Sequence, residues 1–185
     1  MNRHETILRC EDALLLVIDF QSRLVDVMSR KGSVTDEITR LIQGMKQLNV
    51  PILATEQYPQ GLGPTVPSVA DLLDPAQILS KMTFSCCGLV DFGARLKSLQ
   101  RRQIIVTGIE THVCVLQTVL DLLANGYQVH VPVGATCSRA DANRDNAFGR
   151  MEKTGAVLTN LESVLFELLV EAGTDDFKAV RKLIV

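Results

Sequence analysis

Short apolar runs alternate with segments of helical periodicity along the whole chain. Residues 13–18 are continuously apolar, which is typical of a strand buried on both faces of a sheet. The next apolar positions recur every three or four residues and predict a helix, with Ser33 as its N-cap. Those positions are Val34, Ile38, Leu41, Ile42, Met45 and Leu48. Pro51 is expected to end this segment before a second strand at 52–55.

The same alternation continues to the C-terminal part of the chain. It predicts further strands at 78–81, 103–107, 127–133 and 156–159. It predicts further helices at 89–99, 112–125, 140–153 and 177–184, and one more that Asn160 caps. Gly126 is expected to end the helix at 112–125. Residues 57–76 are rich in glycine and proline and predict a long loop with one short helical turn, and a loop of that length in a compact domain is often functional.

Strands that alternate with helices form right-handed crossovers and a parallel sheet. The six predicted strands therefore indicate an α/β fold, a three-layer, doubly wound, Rossmann-like sandwich with a mostly parallel sheet of order 3-2-1-4-5-6. Because no linker, repeat or low-complexity segment interrupts the pattern, we expect a single domain over residues 1–185.

Composition narrows the class of protein. The chain is 46% hydrophobic but only 4% aromatic, which predicts a core built from aliphatic side chains. Its formal net charge of −2 favours neither nucleic acid nor an anionic membrane as a partner. The N-terminal residues are polar and do not resemble a signal peptide. An odd number of cysteines, five, is typical of free thiols in a reducing compartment. We therefore expect a cytoplasmic protein that acts on a small molecule.

Reactive side chains follow the predicted strands at their carboxyl ends, where open parallel sheets bind ligands. Asp19, Glu56 and Lys81 follow the first three strands, and Cys114 lies in the first turn of the helix after the fourth. A helix N-terminus stabilises a thiolate, so this position predicts a lowered pKa for Cys114, with Asp19 as its proton acceptor. The alternative is a structural thiol, because cysteine is among the most often buried residues.

Three separated motifs carry a resemblance to a known family. They are LLVIDFQ at 15–21, KMTFS at 81–85 and VTGIETHVCV at 106–115. With them the chain resembles the isochorismatase-like cysteine hydrolases over residues 10–170. The loop TEQYPQGLGPT at 55–65 is most similar to the isochorismatase domain-containing branch, and the segments at 121–129 and 135–139 also fit.

The resemblance implies a catalytic triad of Asp19, Lys81 and Cys114. In the implied reaction Cys114 attacks a carbonyl carbon while Asp19 acts as general base, and Asp19 then protonates the leaving amine. Water finally hydrolyses the acyl-enzyme. The resemblance also implies a non-proline cis peptide bond at Ile109–Glu110, with an oxyanion hole of backbone N–H groups near Val113 and Cys114. The side chains expected to line the substrate pocket are Phe20, Gln21 and Tyr58.

Two departures from the family pattern narrow the reaction. Nicotinamidases of this superfamily carry an Asp-x-His pattern and a further histidine after the second strand, where this chain has Glu56-Gln57-Tyr58. We therefore expect no metal and no other cofactor, because Glu56 alone is a poor metal site. Isochorismatases that cleave a vinyl ether lack the nucleophilic cysteine, so Cys114 indicates cleavage of an amide or related C–N bond.

Two other functions stay open on the sequence alone. One is a catalytically idle family member that acts as a scaffold or partner-binding protein, and the other is a thiol-based sensor that uses Cys114. The other cysteines are expected to be structural, although Cys86 or Cys87 is placed near enough to Lys81 to line the pocket. Family members commonly form dimers or larger rings, so the resemblance implies a homo-oligomer.

Overall fold

A single parallel sheet lies at the centre of the computed structural model, which describes residues 3–184. The strands found among these residues are β1 (Ala13–Ile18), β2 (Ile52–Gln57), β3 (Ile78–Lys81), β4 (Gln103–Ile109), β5 (Gln128–Pro132), β6 (Thr136–Cys137) and β7 (Val157–Thr159). Their order is β3-β2-β1-β4-β5-β7. This confirms the predicted doubly wound α/β fold and its strand order, with β7 as the sixth predicted strand.

The seventh strand in the described part of the chain is β6, which pairs with β4 beyond the point where β5 ends. Pro132 ends β5 because proline has no N–H to donate to the ladder. After a 3₁₀ turn, Thr136 and Cys137 take up the pairing with the last two residues of β4. Two residues are too few to show a periodicity, which is why the sequence does not predict this strand.

Helices cover both faces of the sheet. They are α1 (Ser22–Val25), α2 (Lys31–Gln47), α3 (Pro59–Leu62), α4 (Pro67–Ala70), α5 (Val90–Leu99), α6 (Leu116–Ala124), α7 (Asp141–Lys153), α8 (Leu161–Leu169) and α9 (Asp175–Arg181). The proline-rich loop holds two short helices, α3 and α4, where one turn was predicted. Within residues 3–184 no helix combines the length and apolarity that crossing a membrane requires.

Three predicted helix ends can be compared with the structure. Asn160 caps α8, and its side chain accepts a hydrogen bond from the Ser163 backbone N–H at 2.8 Å. Gly126 follows α6 with φ = +82°, the left-handed conformation that glycine adopts readily. The N-cap prediction is wrong, because α2 already begins at Lys31 and Ser33 lies in its first turn. From there the Ser33 hydroxyl donates to the carbonyl of Arg30.

Two aliphatic cores lie on opposite faces of the sheet. Every residue of β1 is buried, and its side chains alternate between the faces. Leu15 and Val17 pack against α2 and α8, whereas Leu14 and Leu16 pack on the face that α5, α6 and α7 cover. This confirms the aliphatic core, and it gives the central strands the rigidity that a site at their carboxyl ends requires.

The register of the central strands brings three distant segments together. Ile18, the last residue of β1, pairs with Thr55 on one side and with Gly108 on the other. Gly108 has φ = +109°, and a Cβ there would overlap the Ile18 carbonyl oxygen, so only glycine fits this close approach. Asp19 therefore emerges between β2 and β4, at the switch point where ligands bind in such sheets.

Candidate active site

Lys81 and Asp19 form an ion pair that is closed to solvent. The Lys81 Nζ lies 2.7 Å from the Asp19 Oδ2, and both side chains have 0% exposure. Lys81 is the last residue of β3, and Asp19 directly follows β1. These two strands lie on either side of β2. Buried charges are tolerated in proteins only when they are paired and hydrogen-bonded, so this pair is a built feature of the sheet edge.

The Lys81 ammonium has four hydrogen-bond acceptors. Besides Asp19 they are the side-chain Oε1 of Gln57 at 2.9 Å and the backbone carbonyls of Thr83 at 3.1 Å and Phe84 at 3.0 Å. Each of these groups accepts a hydrogen bond, so the ammonium form is the one that satisfies them. Lys81 is therefore a fixed cation beside the Asp19 carboxylate.

The other oxygen of Asp19 is also held. The Thr55 hydroxyl donates to Asp19 Oδ1 at 2.8 Å and lies 3.7 Å from the Cys86 thiol. The Asp19 backbone has φ = +49°, a left-handed conformation that aspartate tolerates better than most residues, and its N–H donates to the Thr55 carbonyl at 3.0 Å. The carboxylate therefore has one orientation, set by β2 on one oxygen and by β3 on the other.

Cys114 lies in a short π-helical turn, Thr111–Val115, that precedes α6. The Val115 N–H donates to the carbonyl of Glu110 at 3.3 Å, which is the wide i to i+5 spacing of a π-helix. Such turns occur frequently at functional sites. The helix predicted at 112–125 thus starts as a π turn, and this places Cys114 with 6% exposure next to the ion pair.

The electrostatic environment of Cys114 differs from the one predicted. Burial raises the pKa of the Cys114 thiol well above its ordinary value, and the charge of Asp19 raises it further. Lys81 lowers this pKa, but its effect is smaller than those of burial and of the Asp19 charge. The sequence predicted a lowered pKa for this thiol, whereas burial and the neighbouring carboxylate raise it in the structure.

The peptide bond Ile109–Glu110 is cis, as the resemblance implied. The Val113 N–H donates to the Glu110 carbonyl at 3.0 Å, so this proposed oxyanion donor is already engaged. The Glu110 N–H, in contrast, has no acceptor among residues 3–184. The Glu110 carboxylate accepts from the backbone N–H and from Nε of Arg139, at 3.0 and 3.1 Å.

Two of the three predicted pocket residues are buried. Phe20 is buried in the core against α2. The Gln21 side chain is also buried, where its Oε1 accepts from the Gln57 N–H and its Nε2 donates to the carbonyls of Gln57 and Gly63. Of the three, Tyr58 alone reaches the surface, with 47% exposure. Phe20 and Gln21 therefore support the sheet edge in this structure, and a role for them in the substrate pocket stays a prediction.

Sequence reasoning also missed two residues of the site, Thr55 and Gln57. Both are polar and stand at alternate positions of β2, on either side of Glu56 and after three apolar residues. That pattern is a signal available in the sequence, because residues two apart face the same side of a sheet. Each holds one of the two charged side chains, Asp19 or Lys81.

A cavity of about 410 Å³ adjoins the end of β3, and of the predicted triad it contacts Lys81 but not Asp19 or Cys114. Its lining consists of Pro59, Gln60, Ser80, Lys81, Met82, Thr83, Gly88 and Leu89. Neither Cys86 nor Cys87 belongs to this lining. Cys86 is fully buried, and burial raises the pKa of its thiol to about 11. All five cysteines are free, as predicted.

The residues at the end of β2 are engaged in hydrogen bonds within the loop that follows. One oxygen of the Glu56 carboxylate accepts from both the backbone N–H and the hydroxyl of Thr65, at 2.7 and 2.8 Å. Across residues 3–184, no three histidine, cysteine or acidic side chains are grouped so that they could hold a metal ion. The donor set therefore suits hydrogen bonding within the loop.

Comparison with known proteins shows the family. The isochorismatase domain matches residues 13–163, and the chain belongs to this family of hydrolases. It is 38% identical to the secreted isochorismatase effector Isc1 of Phytophthora sojae over 176 residues, which cover 93% of this chain and 84% of the relative. It is 36% identical to isochorismatase domain-containing protein 2 of Rattus norvegicus, with 94% and 81% of the two chains covered.

Two solved structures show the same fold. The MAR1 ribonuclease from Caenorhabditis elegans has a TM-score of 0.90 and 38% identity, over 96% of this chain and 91% of that one. The ycaC gene product of Escherichia coli, an octameric hydrolase of unknown specificity, has a TM-score of 0.92 and 24% identity, over 99% and 91%. The names of these relatives indicate different activities. One relative is named as a secreted protein, so the cytoplasmic location expected from the sequence stays a prediction.

Proposed function

We propose that this chain is a metal-independent cysteine hydrolase that cleaves an amide or related C–N bond of a small molecule. The observation that carries the proposal is the position of the Asp19 carboxylate. It lies 2.7 Å from the Lys81 ammonium, and it is near enough to the Cys114 thiol that its charge raises the pKa of that thiol. A neutral thiol beside a carboxylate that a fixed cation orients is the arrangement that general-base activation of a nucleophile requires.

In the first step the proton of the Cys114 thiol passes to the Asp19 carboxylate while Sγ bonds to the substrate carbonyl carbon. The electron pair of the carbonyl moves onto its oxygen, and backbone N–H groups stabilise the oxyanion. We assign this role to the N–H of Glu110, which has no acceptor among the described residues, and to that of Cys114. They replace the Val113 N–H in the scheme expected from the sequence.

In the second step the oxyanion collapses and the C–N bond breaks. The leaving nitrogen takes the proton from Asp19, which returns to the carboxylate form. Asp19 then accepts a proton from a water molecule while the oxygen of that water attacks the thioester carbonyl carbon. When the C–S bond breaks, Asp19 returns this proton to the Cys114 sulfur. Lys81 exchanges no proton in this cycle and stabilises each anionic form of the Asp19 and Cys114 pair.

The same proposal covers the cofactor. The reaction needs none, because Cys114 supplies the nucleophile and Asp19 carries the proton. The engagement of Glu56 with Thr65 supports this reading, since it removes the acidic side chain that stands where nicotinamidases hold a metal.

The proposal also includes a homo-oligomer. Met82, Phe84 and Val90 follow β3 and are large apolar residues with 70%, 55% and 85% exposure. The E. coli relative is an octamer, and exposed apolar side chains of this size are available for a contact between copies. Light scattering of the purified chain tests this, and a monomer at micromolar concentration would contradict it.

The decisive experiment is a hydrolysis screen over small amides and ureides. The wild type should release amine or ammonia from at least one of them, and Cys114→Ala and Asp19→Asn should each lower the rate by about 10³-fold or more. Cys87→Ala, which removes a half-buried thiol outside the triad, should leave the rate unchanged. Hydrolysis that survives Cys114→Ala would contradict the proposal.

Single-stranded RNA belongs in the same screen, because the nematode relative is named a ribonuclease. We expect no cleavage of RNA, since the formal net charge of −2 gives no general attraction for a polyanion. RNA degradation that requires Cys114 would replace the small-molecule proposal.

A further inference from the structure

The strand between the two charged residues carries side chains toward both of them. Leu53, Thr55 and Gln57 stand at alternate positions of β2 and so face the same side of the sheet. Leu53 packs in the core that also contains Cys114, so this is the side of the nucleophile. Thr55 contacts Asp19 and Gln57 contacts Lys81.

The Gln57 side chain has a single orientation that fits its partners. Its Oε1 accepts from Lys81 Nζ at 2.9 Å, and its Nε2 donates to the Met82 carbonyl at 2.8 Å. Exchanging the oxygen and nitrogen would place an N–H against an ammonium and an oxygen against a carbonyl. The backbone of Gln57 is held as well, since its N–H and its carbonyl both bond to the side chain of Gln21.

The number of acceptors around Lys81 matters for the reaction cycle. An ammonium group has three N–H bonds, and the Lys81 Nζ has four acceptors, of which Asp19 carries a charge. In the proposed cycle Asp19 becomes neutral when it takes the thiol proton. A neutral carboxyl group still accepts hydrogen bonds, but its charge attraction to Lys81 is lost. The oxygens of Gln57, Thr83 and Phe84 then provide more of the stabilisation of the buried ammonium.

We propose that Gln57 is a positioning residue that keeps the Lys81 ammonium in place during the part of the cycle in which Asp19 is protonated. This inference rests on the proposed function for the sequence of proton transfers. Of the three uncharged acceptors, Gln57 alone uses a side chain, so it alone can be removed by substitution. Without it, protonation of Asp19 leaves the buried ammonium with no charged partner and with one neutral acceptor fewer, which disfavours that state.

The first test measures coupling between Gln57 and the charge of Asp19. The unfolding equilibrium is measured in urea for the wild type, Gln57→Met, Asp19→Asn and the double variant. Asp19→Asn represents the uncharged state. Gln57→Met should therefore raise the equilibrium constant for unfolding by a factor about ten times larger in that background than in the wild type. Equal effects in both backgrounds would overturn the inference. If Gln57→Met does not fold, the shorter Gln57→Asn gives the same comparison.

The second test is a readout that a purely structural role would not change. The rate of Cys114 alkylation by iodoacetamide is followed against pH, with the labelled peptide identified by mass spectrometry. The titratable groups that influence this thiol are Asp19, Lys81 and Cys86, and Lys81 lowers its pKa. The comparison is made in the Asp19→Asn background, where Lys81 lacks its charged partner. If Gln57→Met frees Lys81 from its position there, the profile moves up by about one pH unit. An unshifted profile in that background would contradict the inference.

Gln103→Met is the matched control for both tests. Gln103 is as buried as Gln57 but begins β4, at the opposite end of the sheet, where its side chain bonds to the N-terminal segment. It should lower stability equally in both Asp19 backgrounds and leave the alkylation profile in place. Because neither test uses a substrate, a negative amide screen would overturn the proposed function without deciding the role of Gln57.

Discussion

The Asp19 carboxylate and the Lys81 ammonium lie 2.7 Å apart with no exposure of either side chain. They are separated by 62 positions in the chain and meet because β1 and β3 flank β2 in a parallel sheet. The pair serves the proposed reaction, since it orients a carboxylate beside the Cys114 thiol. It also makes the fold dependent on both charges.

Removing one member of this pair should destabilise the fold strongly. Lys81→Met leaves the Asp19 carboxylate buried without its counter-charge, and we expect a loss of about 3–5 kcal/mol in the free energy of unfolding. The double variant Asp19→Asn/Lys81→Met should recover a large part of this loss. Urea denaturation measures both. Lys178→Met, in an exposed ion pair with Asp175, should have little effect, and a similarly small loss for Lys81→Met would contradict the prediction.

Asp19→Asn should change reactivity and turnover in opposite directions. The charge of Asp19 raises the pKa of the Cys114 thiol, so its removal lowers that pKa and gives more thiolate at neutral pH. Alkylation of Cys114 by iodoacetamide at pH 8 should therefore be faster in the variant, although hydrolysis is lost with the general base. Slower alkylation would mean that Asp19 already activates the thiol in the resting protein.

His130 should make stability fall in mild acid. It lies in β5, where burial lowers the pKa of its imidazole to about 4. The folded state therefore binds a proton less readily than the unfolded chain, for which the pKa is 6.5. Protonation of His130 therefore does not reduce the free energy of unfolding above pH 6.5. It lowers this free energy by about 3 kcal/mol as the pH drops from 6.5 to 4.

Urea denaturation at several pH values tests the role of His130. His130→Leu should remove this part of the acid sensitivity, because the leucine does not titrate. His4→Gln, at an exposed position near the N-terminus, should keep the dependence of the wild type. An unchanged slope in His130→Leu would assign the acid sensitivity to other groups.

Val170→Gly should stabilise the protein. Val170 follows α8 with φ = +66° and ψ = −48°, and the Glu171 N–H donates to the Leu169 carbonyl at 2.7 Å. This is a γ-turn of the strained, positive-φ type, and a β-branched residue pays the highest steric cost there. The side chain is 67% exposed, so glycine sacrifices little packing and should gain about 1 kcal/mol.

Thermal unfolding measures the effect of Val170→Gly. Val27→Gly is the control, because Val27 is similarly exposed but has no positive φ. Glycine should lower stability at Val27 and raise it at Val170. The same sign at both positions would show that the turn is not strained.

Local patterns determined the layers of the fold. The apolar run at 13–18 marks a strand buried on both faces because each of its positions must lie against a core. The helical spacing of α2 and the capping residue Asn160 act within a few residues, so they are visible in the chain itself. The motifs around Asp19, Lys81 and Cys114 indicated the family for the same reason, since each is a short local pattern.

The tertiary structure alone decided the chemistry of each side chain. Gln21 and Phe20 stand beside Asp19 in the chain, yet one supports β2 and the other fills the core. The Cys114 thiol has a raised pKa because burial and a carboxylate from β1 act on it, and neither is encoded near it in the sequence. Hydrogen bonds and electrostatic fields depend on distances in space. Those distances are set when the ends of β1, β2 and β3 and the π turn meet at one edge of the sheet.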